Sequence, residues 1–227
     1  MNPAHDKKQD KKNLRTEFRK RIDAISFGDL ITKSQNLVES FQANIAQTIS
    51  SSVFSGRYIV SFYPFENEPQ INIESEARNE PYQVAYVRIT SWDQREMVAA
   101  QARRDQPGQW EEFEVAPGNR IFQPSPGQPL CSPSEIAAVL IPGLSFSPGG
   151  ERLGRGAGFY DRFLKNYPMA LRIGIAFEEQ ISQNLPCDEW DEKVDVILTD
   201  RGIREVKGMN LLGEWRTQGK ILERKQD

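Results

Sequence analysis

The stretch "ERLGRGAGFYDRFL", from Glu151 to Leu164, contains residue types that could bind an anion and a cation together. Three glycines alternate with other residues from position 154 to position 158, and Arg152 and Arg155 lie among them. Glycine loses more backbone freedom on folding than other residues, so this density indicates a chain that bends tightly or is approached closely. Backbone N–H groups, the two arginines and the start of a following helix would together form a phosphate site. Asp161 could then hold Mg2+ between phosphate oxygens.

The glycine spacing alone leaves a second interpretation open. The stretch is not a P-loop, because no Gly-Lys-Ser/Thr follows it. It is not the dinucleotide-binding fingerprint either, because Phe159 occupies the position of the third glycine. A tight strand-to-helix connection whose arginines are only solvated would use the same glycines.

The segments around this stretch place it at the edge of a sheet. The apolar segment "AAVLIPG", beginning at Ala137, predicts a buried strand, and "GFYDRFLKNY", beginning at Gly158, predicts a helix after the loop. Further strands are predicted at residues 58–63 and from Gln83, Glu96, Arg172 and Val194. Strands that alternate with helices indicate an α/β fold with a mostly parallel central sheet and helices on both faces. Such sheets bind ligands at the carboxyl ends of their strands.

Two helical patterns open the chain. The first is an apolar stripe formed by Leu14, Phe18, Ile22 and Ile25. The second extends from about residue 30 to residue 49, with a face formed by Ile31, Val38, Phe41 and Ile45. The segment "INIESEARN" predicts another helix, whereas residues 102–133, rich in proline, glycine and glutamine, predict loops or short strands rather than a second domain.

Composition excludes several classes of site. The single histidine, His5, lies in a polar terminal stretch, so a Ser-His-Asp triad or a histidine-rich metal site has no imidazole to use. Cys131 and Cys187 are too few for a disulfide framework or a cysteine-rich zinc site. A net charge of −3 argues against broad binding of nucleic acid. The absence of a long apolar run and of a secretory signal predicts a cytoplasmic protein that does not bind membranes.

Four segments together resemble one enzyme family. The stretch "IPGLSFSPGGERLGRGAGFYDRFL" closely resembles the signature of the 5-formyltetrahydrofolate cyclo-ligases, also called methenyltetrahydrofolate synthetases. In the same order as in that family, "KKNLRTEFRKRI" resembles its N-terminal helix, "SFYPFENEPQIN" a segment with a folate-facing glutamate, and "LPCDEWDEKVDVILTD" a late loop and strand. The resemblance extends from residue 11 to residue 200 and is weak between about residues 100 and 130.

The resemblance implies a fold, a domain organisation and a reaction. It implies an α/β domain of the NagB/RpiA/CoA-transferase-like type with Rossmann-like layers, over residues 11–205. A disordered basic tail at residues 1–10 and a peripheral segment at residues 206–227 would flank it. The family uses Mg-ATP to phosphorylate the formyl oxygen of 5-formyltetrahydrofolate. A neighbouring nitrogen then attacks the activated carbon and gives 5,10-methenyltetrahydrofolate, ADP and phosphate. A monomer that acts without nucleic acid is expected.

Matching positions carry the family's roles to this chain. The catalytic residues would be Arg152 and Tyr160, and the substrate-binding residues Glu68, Met97 and Tyr160. Asp161 and Asp191 would hold Mg2+. The ATP-binding residues would be Lys11, Arg15, Arg152, Leu153, Gly154, Arg155, Gly156, Ala157, Gly158, Phe159 and Tyr160.

Plainer roles stay open for the same residues. Glu68 could be an exposed turn acid before Pro69, Asp161 a partner of the helix dipole, and Asp191 a loop cap. Met97 and Tyr160 could belong to the core, and Trp92 and Trp190 could either pack or stack on a ligand.

The chain departs from the family pattern at several positions. Ala157 stands where many relatives carry lysine, Gln123 where a Glu-Pro pair is usual, and Trp190 where histidine is frequent. A catalytically inactive nucleotide- or RNA-binding relative is therefore the main alternative. A sugar-phosphate isomerase type of enzyme is a third possibility, although the loop offers no convincing acid/base pair.

Overall fold

The computed structural model describes residues 3–46, 56–74, 82–116, 118–206, 213 and 215 of the 227-residue chain. The helices are α1 (Pro3–Asp23), α2 (Phe27–Phe41), which continues as a π-helical turn (Gln42–Ala46), and α3 (Phe159–Lys165). The strands are β1 (Tyr58–Ser61), β2 (Gln83–Ser91), β3 (Glu96–Gln101), β4 (Trp110–Ala116), β5 (Asn119–Pro124), β6 (Ile136–Pro142), β7 (Ser145–Phe146), β8 (Arg152–Leu153), β9 (Leu171–Ile175), β10 (Val196–Thr199) and β11 (Gly202–Glu205). Short 3-10 turns lie at Pro107–Gln109, Pro133–Glu135 and Glu178–Gln180.

The central sheet is mostly parallel, as the alternation of strands and helices predicts. Its strand order is β11-β10-β9-β6-β1-β2-β3. The five strands from β10 to β2 are parallel, and β11 and β3 join the two edges antiparallel. The chain order reverses between β1 and β6, because β1 leads outwards to β2 while β6 leads to β9 on the other side. A reversal of this kind leaves a crevice beyond the carboxyl ends of the two strands.

Side chains on the two faces of the sheet enter separate cores. From β6, Leu140 joins one cluster with Leu37 and Phe41 of α2, whereas Ile141 joins a second cluster with Phe163 of α3. Burial on both faces explains why the β6 sequence is apolar throughout. The predicted helices on both faces are thus confirmed.

The loop-rich middle of the chain forms a hairpin. Strands β4 and β5 pair antiparallel and form a two-stranded sheet of their own. Gln123 ties this hairpin to the central sheet, because its Oε1 accepts from Ile89 N at 2.9 Å and its Nε2 donates to the Ile89 carbonyl at 3.4 Å. The sequence predicts either loops or short strands for this region, and the structure has short strands. The described residues of the region do not form a second domain.

The N-terminal boundary differs from the expected one. Helix α1 begins at Pro3, so residues 3–10 belong to the same helix as Lys11 and are not a disordered tail. Lys7 Nζ donates to the Cys187 carbonyl at 3.4 Å and connects this turn to the domain. Lysine and glutamine propagate a helix well without an apolar stripe, so hydrophobic periodicity missed these turns. Residues 1 and 2 lie outside the described residues.

The C-terminal expectation is wrong for Trp215. Its side chain is fully buried in the cluster that contains Phe41, and its Nε1 donates to the Ala137 carbonyl at 2.9 Å. A large amphipathic side chain far along the chain can complete a core formed by earlier elements. Residue 215 is therefore part of the domain rather than peripheral to it.

Smaller differences concern the helix ends. Helix α1 ends at Asp23 because Ser26 caps α2, its Oγ accepting from Asp29 N at 3.1 Å, so Ile25 lies between the helices. Ile31, expected on the apolar face of α2, is 42% exposed. The predicted end of this helix at residue 49 lies outside the described residues, as does most of the helix predicted at "INIESEARN". Among the described residues, no helix is both long and apolar enough to cross a bilayer.

Candidate active site

One large cavity lies beyond the carboxyl ends of β1 and β6, where the chain order reverses. Its volume is about 890 Å3. Phe62 and Glu68 after β1 line one side, and Gly143 after β6 and the loop after β8 line the other. All of the expected site residues of the sequence analysis lie on its wall. The prediction that the glycine loop faces a ligand crevice at this edge of the sheet is therefore supported by the geometry.

The glycines of the loop are required by its backbone. Gly156 and Gly158 have φ values of 108° and 75°, a region that other residues rarely adopt, and Gly158 precedes α3 directly. A Cβ on Gly154 would lie 2.7 Å from Arg152 Nη1, so a side chain there would require the end of the Arg152 side chain to shift. Because α3 has only seven residues, its end offers little charge to an anion. Cationic side chains must carry most of that role.

Arg152 is held in place by the residues around it. Its Nη2 donates to Asp161 Oδ1 at 3.0 Å, and its guanidinium carbon lies 5.5 Å from the centroid of the Tyr160 ring. Its side chain is only 7% exposed, and its buried Nε has no hydrogen-bond partner among the described residues. A guanidinium that lines the cavity and is held by one carboxylate is well suited to bind an anion.

Lys11 connects α1 with the late loop. Its Nζ contacts Asp188 Oδ2 at 2.6 Å and Asp191 Oδ2 at 2.5 Å. Burial alone would lower the pKa of Lys11, but the hydrogen bonds and charges of the two aspartates outweigh it and raise the pKa above its ordinary value. The ammonium form is therefore maintained. The loop-cap role of Asp191 also holds, because its Oδ2 accepts from Asp188 N at 2.8 Å.

Arg15 lies one turn after Lys11 on α1 and contacts the glycine loop directly. Its Nε donates to the Gly154 carbonyl at 3.0 Å, and its guanidinium carbon lies 3.3 Å from the place where a Cβ on Gly156 would be. Burial, followed by the charge of Arg19, lowers the pKa of Arg15 below its ordinary value, although an arginine stays charged throughout the working range. The first helix and the loop thus face the same part of the cavity.

Glu68 is buried rather than exposed, so the exposed-turn interpretation is wrong. Its Oε1 accepts from Arg155 Nε at 2.9 Å and from Arg155 Nη2 at 2.8 Å, and its Oε2 accepts from Phe65 N at 3.0 Å. The Arg155 guanidinium also lies 4.4 Å from the centroid of the Phe65 ring. The expected folate residue is therefore in direct contact with the expected phosphate loop.

The remaining expected residues form the apolar part of the cavity. Met97 on β3 is buried, and Tyr160 is half-buried between Arg152 and the core cluster around Phe163. Burial, followed by the charge of Glu68, raises the pKa of Tyr160 although Arg152 opposes it, so its hydroxyl stays protonated.

Two exposed tryptophans lie at the cavity wall. Trp92 packs on Phe159 with ring centroids 4.9 Å apart, whereas Trp190 is 64% exposed.

Comparison with known proteins identifies the family. The model of the 5-formyltetrahydrofolate cyclo-ligase family matches residues 7–200. The chain belongs to this family. It is 27% identical over 202 residues to the 5-formyltetrahydrofolate cyclo-ligase of Mus musculus, covering 83% of this chain and 92% of that protein. It is 34% identical over 74 residues to the enzyme of that name from Escherichia coli K12, covering 32% and 41% of the two chains.

Solved structures of methenyltetrahydrofolate synthetases share the fold. The 5,10-methenyltetrahydrofolate synthetase of Aquifex aeolicus superposes with a TM-score of 0.71 at 21% identity, covering 88% of this chain and 94% of that one. The synthetase of Mycoplasma pneumoniae superposes with a TM-score of 0.65 at 22% identity, covering 84% and 99%. The expected fold class is thus confirmed.

Two carboxylates of this family member fit the proposed metal role. Asp161 and Asp191 both line the cavity, and each uses one oxygen for its hydrogen bonds, Oδ1 in Asp161 and Oδ2 in Asp191. The other oxygen of each has no hydrogen bond to a described residue. No group of three or more metal-binding side chains occurs among the described residues. Mg2+ bound together with a nucleotide needs only one or two carboxylates, because phosphates and water supply the other ligands.

Several polar residues on the cavity wall received no role from the sequence, among them Asp188 and Arg95. Asp188 lies within the segment "LPCDEWDEKVDVILTD", but its contact is with Lys11, 177 positions away, and no local spacing reveals that contact. Arg95 lines the cavity from the turn between β2 and β3. The sequence signal for that turn is weak, because Arg95 itself takes a conformation typical of glycine, with φ 56°.

Proposed function

We propose that the chain catalyses the ATP-dependent cyclisation of 5-formyltetrahydrofolate to 5,10-methenyltetrahydrofolate, with release of ADP and phosphate. Membership of the family makes this reaction the natural expectation. The observation that carries the proposal is the contact between Glu68 and Arg155, with Nη2 and Oε1 2.8 Å apart. It brings the carboxylate expected to bind the pterin next to the loop expected to bind the phosphates, and the formyl oxygen must lie between these two groups for the reaction to occur.

The cations around the glycine loop would bind the ATP phosphates. Arg152 offers a guanidinium that lines the cavity, and Lys11 and Arg15 approach from α1. The backbone from Leu153 to Tyr160 would add close N–H groups, because glycines without side chains leave the backbone open to a nucleotide. Phosphoryl transfer depends mainly on positioning and charge neutralisation, and these groups supply both without a histidine.

Asp161 and Asp191 would hold Mg2+ through their unused oxygens. Bound there, Mg2+ would supply positive charge against the negative charge that develops during transfer. Both carboxylates are positioned by cations of the same site, Asp161 by Arg152 and Asp191 by Lys11. This pairing supports the proposal, because it holds both carboxylates at the cavity wall.

The folate would occupy the side of the cavity formed by Glu68, Met97 and Tyr160. Glu68 would accept hydrogen bonds from the amino-pyrimidine edge of the pterin, and Met97 would pack against the apolar face of the pterin.

The reaction would proceed in two steps. In the first step the formyl oxygen attacks the γ-phosphorus and ADP leaves. In the second step the neighbouring nitrogen attacks the formyl carbon, the new C–N bond forms, the C–O bond breaks, and phosphate and the proton of the nitrogen are released. Arg152 would stabilise the charge on the transferred phosphoryl group, and the protonated Tyr160 hydroxyl would donate a hydrogen bond beside it.

A direct assay tests the proposal. Purified protein with Mg-ATP and 5-formyltetrahydrofolate should produce the ultraviolet absorption band of the methenyl product. A reaction without ATP and one with Arg152→Met should give no band, whereas Arg120→Ala, at an exposed ion pair on β5, should behave as the parent. If folded parent protein binds Mg-ATP but yields no band at any substrate concentration, the inactive nucleotide-binding alternative is correct. The cytoplasmic location, the monomeric state and the independence from nucleic acid stay predictions.

A further inference from the structure

Arg95 has an unusual backbone conformation at the edge of the cavity. Its φ is 56°, and it is the only residue other than glycine with a positive φ among the described residues. The left-handed conformation is unfavourable for a side chain with a Cβ, and glycine or asparagine would adopt it at lower cost. Where a costly conformation is found beside a ligand cavity, a functional role for the side chain is a reasonable hypothesis.

The turn that carries Arg95 is fixed on α3. The Trp92 ring packs on Phe159 with centroids 4.9 Å apart, and Arg162 Nη1 donates to the Gln94 carbonyl at 2.6 Å. Within the turn, Arg95 N donates to the Trp92 carbonyl at 3.1 Å. The position of Arg95 relative to the glycine loop is therefore set by packing and hydrogen bonds on both sides of it.

The Arg95 side chain is exposed, points at the glycine loop and has no charged partner among the described residues. Its Nη1 lies 3.7 Å from the place where a Cβ on Gly158 would be, and the residue lines the cavity. None of the described residues forms a hydrogen bond or an ion pair with its guanidinium. In contrast, Arg152, Arg155 and Lys11 are each paired with a carboxylate.

We propose that Arg95 is a phosphate-binding residue of this site, supplied from the β2–β3 turn rather than from the glycine loop. This inference deepens the proposed function and rests on it. Ala157 contributes no charge to the loop, and Arg95 would add a cation beside Gly158 to those that Lys11, Arg15 and Arg152 supply. Arg95 offers five N–H donors in a planar group that matches a phosphate. The strained turn is then the means by which a long cationic side chain reaches Gly158.

Substitutions at residue 95 separate charge from backbone conformation. Arg95→Gly removes the charge and also relieves the strain, so we expect the melting temperature to be no lower than that of the parent. Its affinity for Mg-ATP should nevertheless fall by about five- to tenfold, as the loss of one partly solvated charge-assisted contact implies. Arg95→Lys should keep most of the affinity. Arg120→Ala removes one exposed positive charge elsewhere and serves as the matched control.

Calorimetric titrations with Mg-ATP and with inorganic tripolyphosphate decide the inference. If Arg95→Gly binds both Mg-ATP and tripolyphosphate more weakly than the parent, while Arg120→Ala binds both as the parent does, the results support a phosphate contact. Equal Mg-ATP affinity for Arg95→Gly, Arg120→Ala and the parent would overturn it and leave the proposed function intact. If the folded parent itself binds no Mg-ATP, the proposed function fails and this role of Arg95 fails with it.

Discussion

The ion pair between Glu68 and Arg155 predicts that Glu68→Gln will change the affinities for the two substrates in opposite directions. The substitution keeps the size of the side chain but removes its charge, and it replaces one acceptor by a donor. A pterin amino group would lose a charge-assisted hydrogen bond, and Arg155 would lose its partner. The folate affinity should therefore fall while the affinity for the nucleotide should rise.

The expected sizes of the changes in folate affinity and in Mg-ATP affinity follow from the burial of Glu68 and Arg155. Glu68 is only 8% exposed, so the lost contact with the pterin should cost about 1.5 to 3 kcal/mol, which is about tenfold to a hundredfold in the folate dissociation constant. The Arg155 side chain is 37% exposed, so solvent screens its pair with Glu68, and releasing it should contribute only about 0.5 to 1 kcal/mol. That energy corresponds to roughly a two- to fivefold tighter binding of Mg-ATP.

Calorimetric titration of each ligand separately measures both effects. Glu66→Gln is the matched control, because Glu66 is an exposed acid of the same turn and should change neither affinity. Unchanged folate binding by Glu68→Gln would mean that Glu68 serves only to hold Arg155 and Phe65. A parallel loss of both affinities in a folded variant would show that the ion pair supports the site as a whole, and the opposed response would be refuted.

Two further predictions concern the cations near the loop. Arg15→Ala should lower the affinity for Mg-ATP by about tenfold. It should leave folate binding in the absence of nucleotide nearly intact, because Arg15 contacts the Gly154 carbonyl rather than Glu68. Arg19→Ala, on an exposed position one turn later, is its control, and equal Mg-ATP affinities in calorimetry would contradict the role of Arg15. Ala157→Lys in the Arg95→Gly background should recover Mg-ATP affinity, since a lysine from the loop would replace the missing charge at the cavity wall. A folded double variant with no recovery would contradict the placement of the phosphates beside both residues.

The sheet and the glycine loop could be predicted because their signals are local. The continuous apolar run of β6 indicates a strand buried on both faces. Gly156 and Gly158 indicate a tight bend or a close approach, and both have positive φ in the structure. Once these two elements are placed in sequence, the position of the loop at the carboxyl edge follows from the rules of parallel sheets. The family signature then assigns chemistry to the same residues.

The pairing of charges could not be predicted because it joins distant segments. Lys11 and Asp188 are 177 positions apart, and Arg155 and Glu68 are 87 positions apart. Neither pair has a spacing that a helix or a hairpin would impose, so only the folded arrangement reveals it. The buried Trp215 was missed for the same reason, since its packing partners lie in α2 and β6.

These pairings bear on how the proposed site would accept a highly charged nucleotide. Buried charges are costly unless they have partners, and here each proposed phosphate-binding cation except Arg15 and Arg95 is paired with a carboxylate. Mg-ATP brings charges of both signs. If Mg2+ binds Asp161 and Asp191 while the phosphates bind Arg152 and Lys11, each of these four side chains has a partner of opposite charge in the complex as well.

Substituting only one member, for example Asp161→Asn, would leave Arg152 attracted to phosphate but Mg2+ without its ligand. We therefore expect that variant to bind ATP without magnesium more tightly than the parent and Mg-ATP more weakly. Titrations with and without the metal measure this reversal, and a uniform loss under both conditions would contradict the exchange of partners.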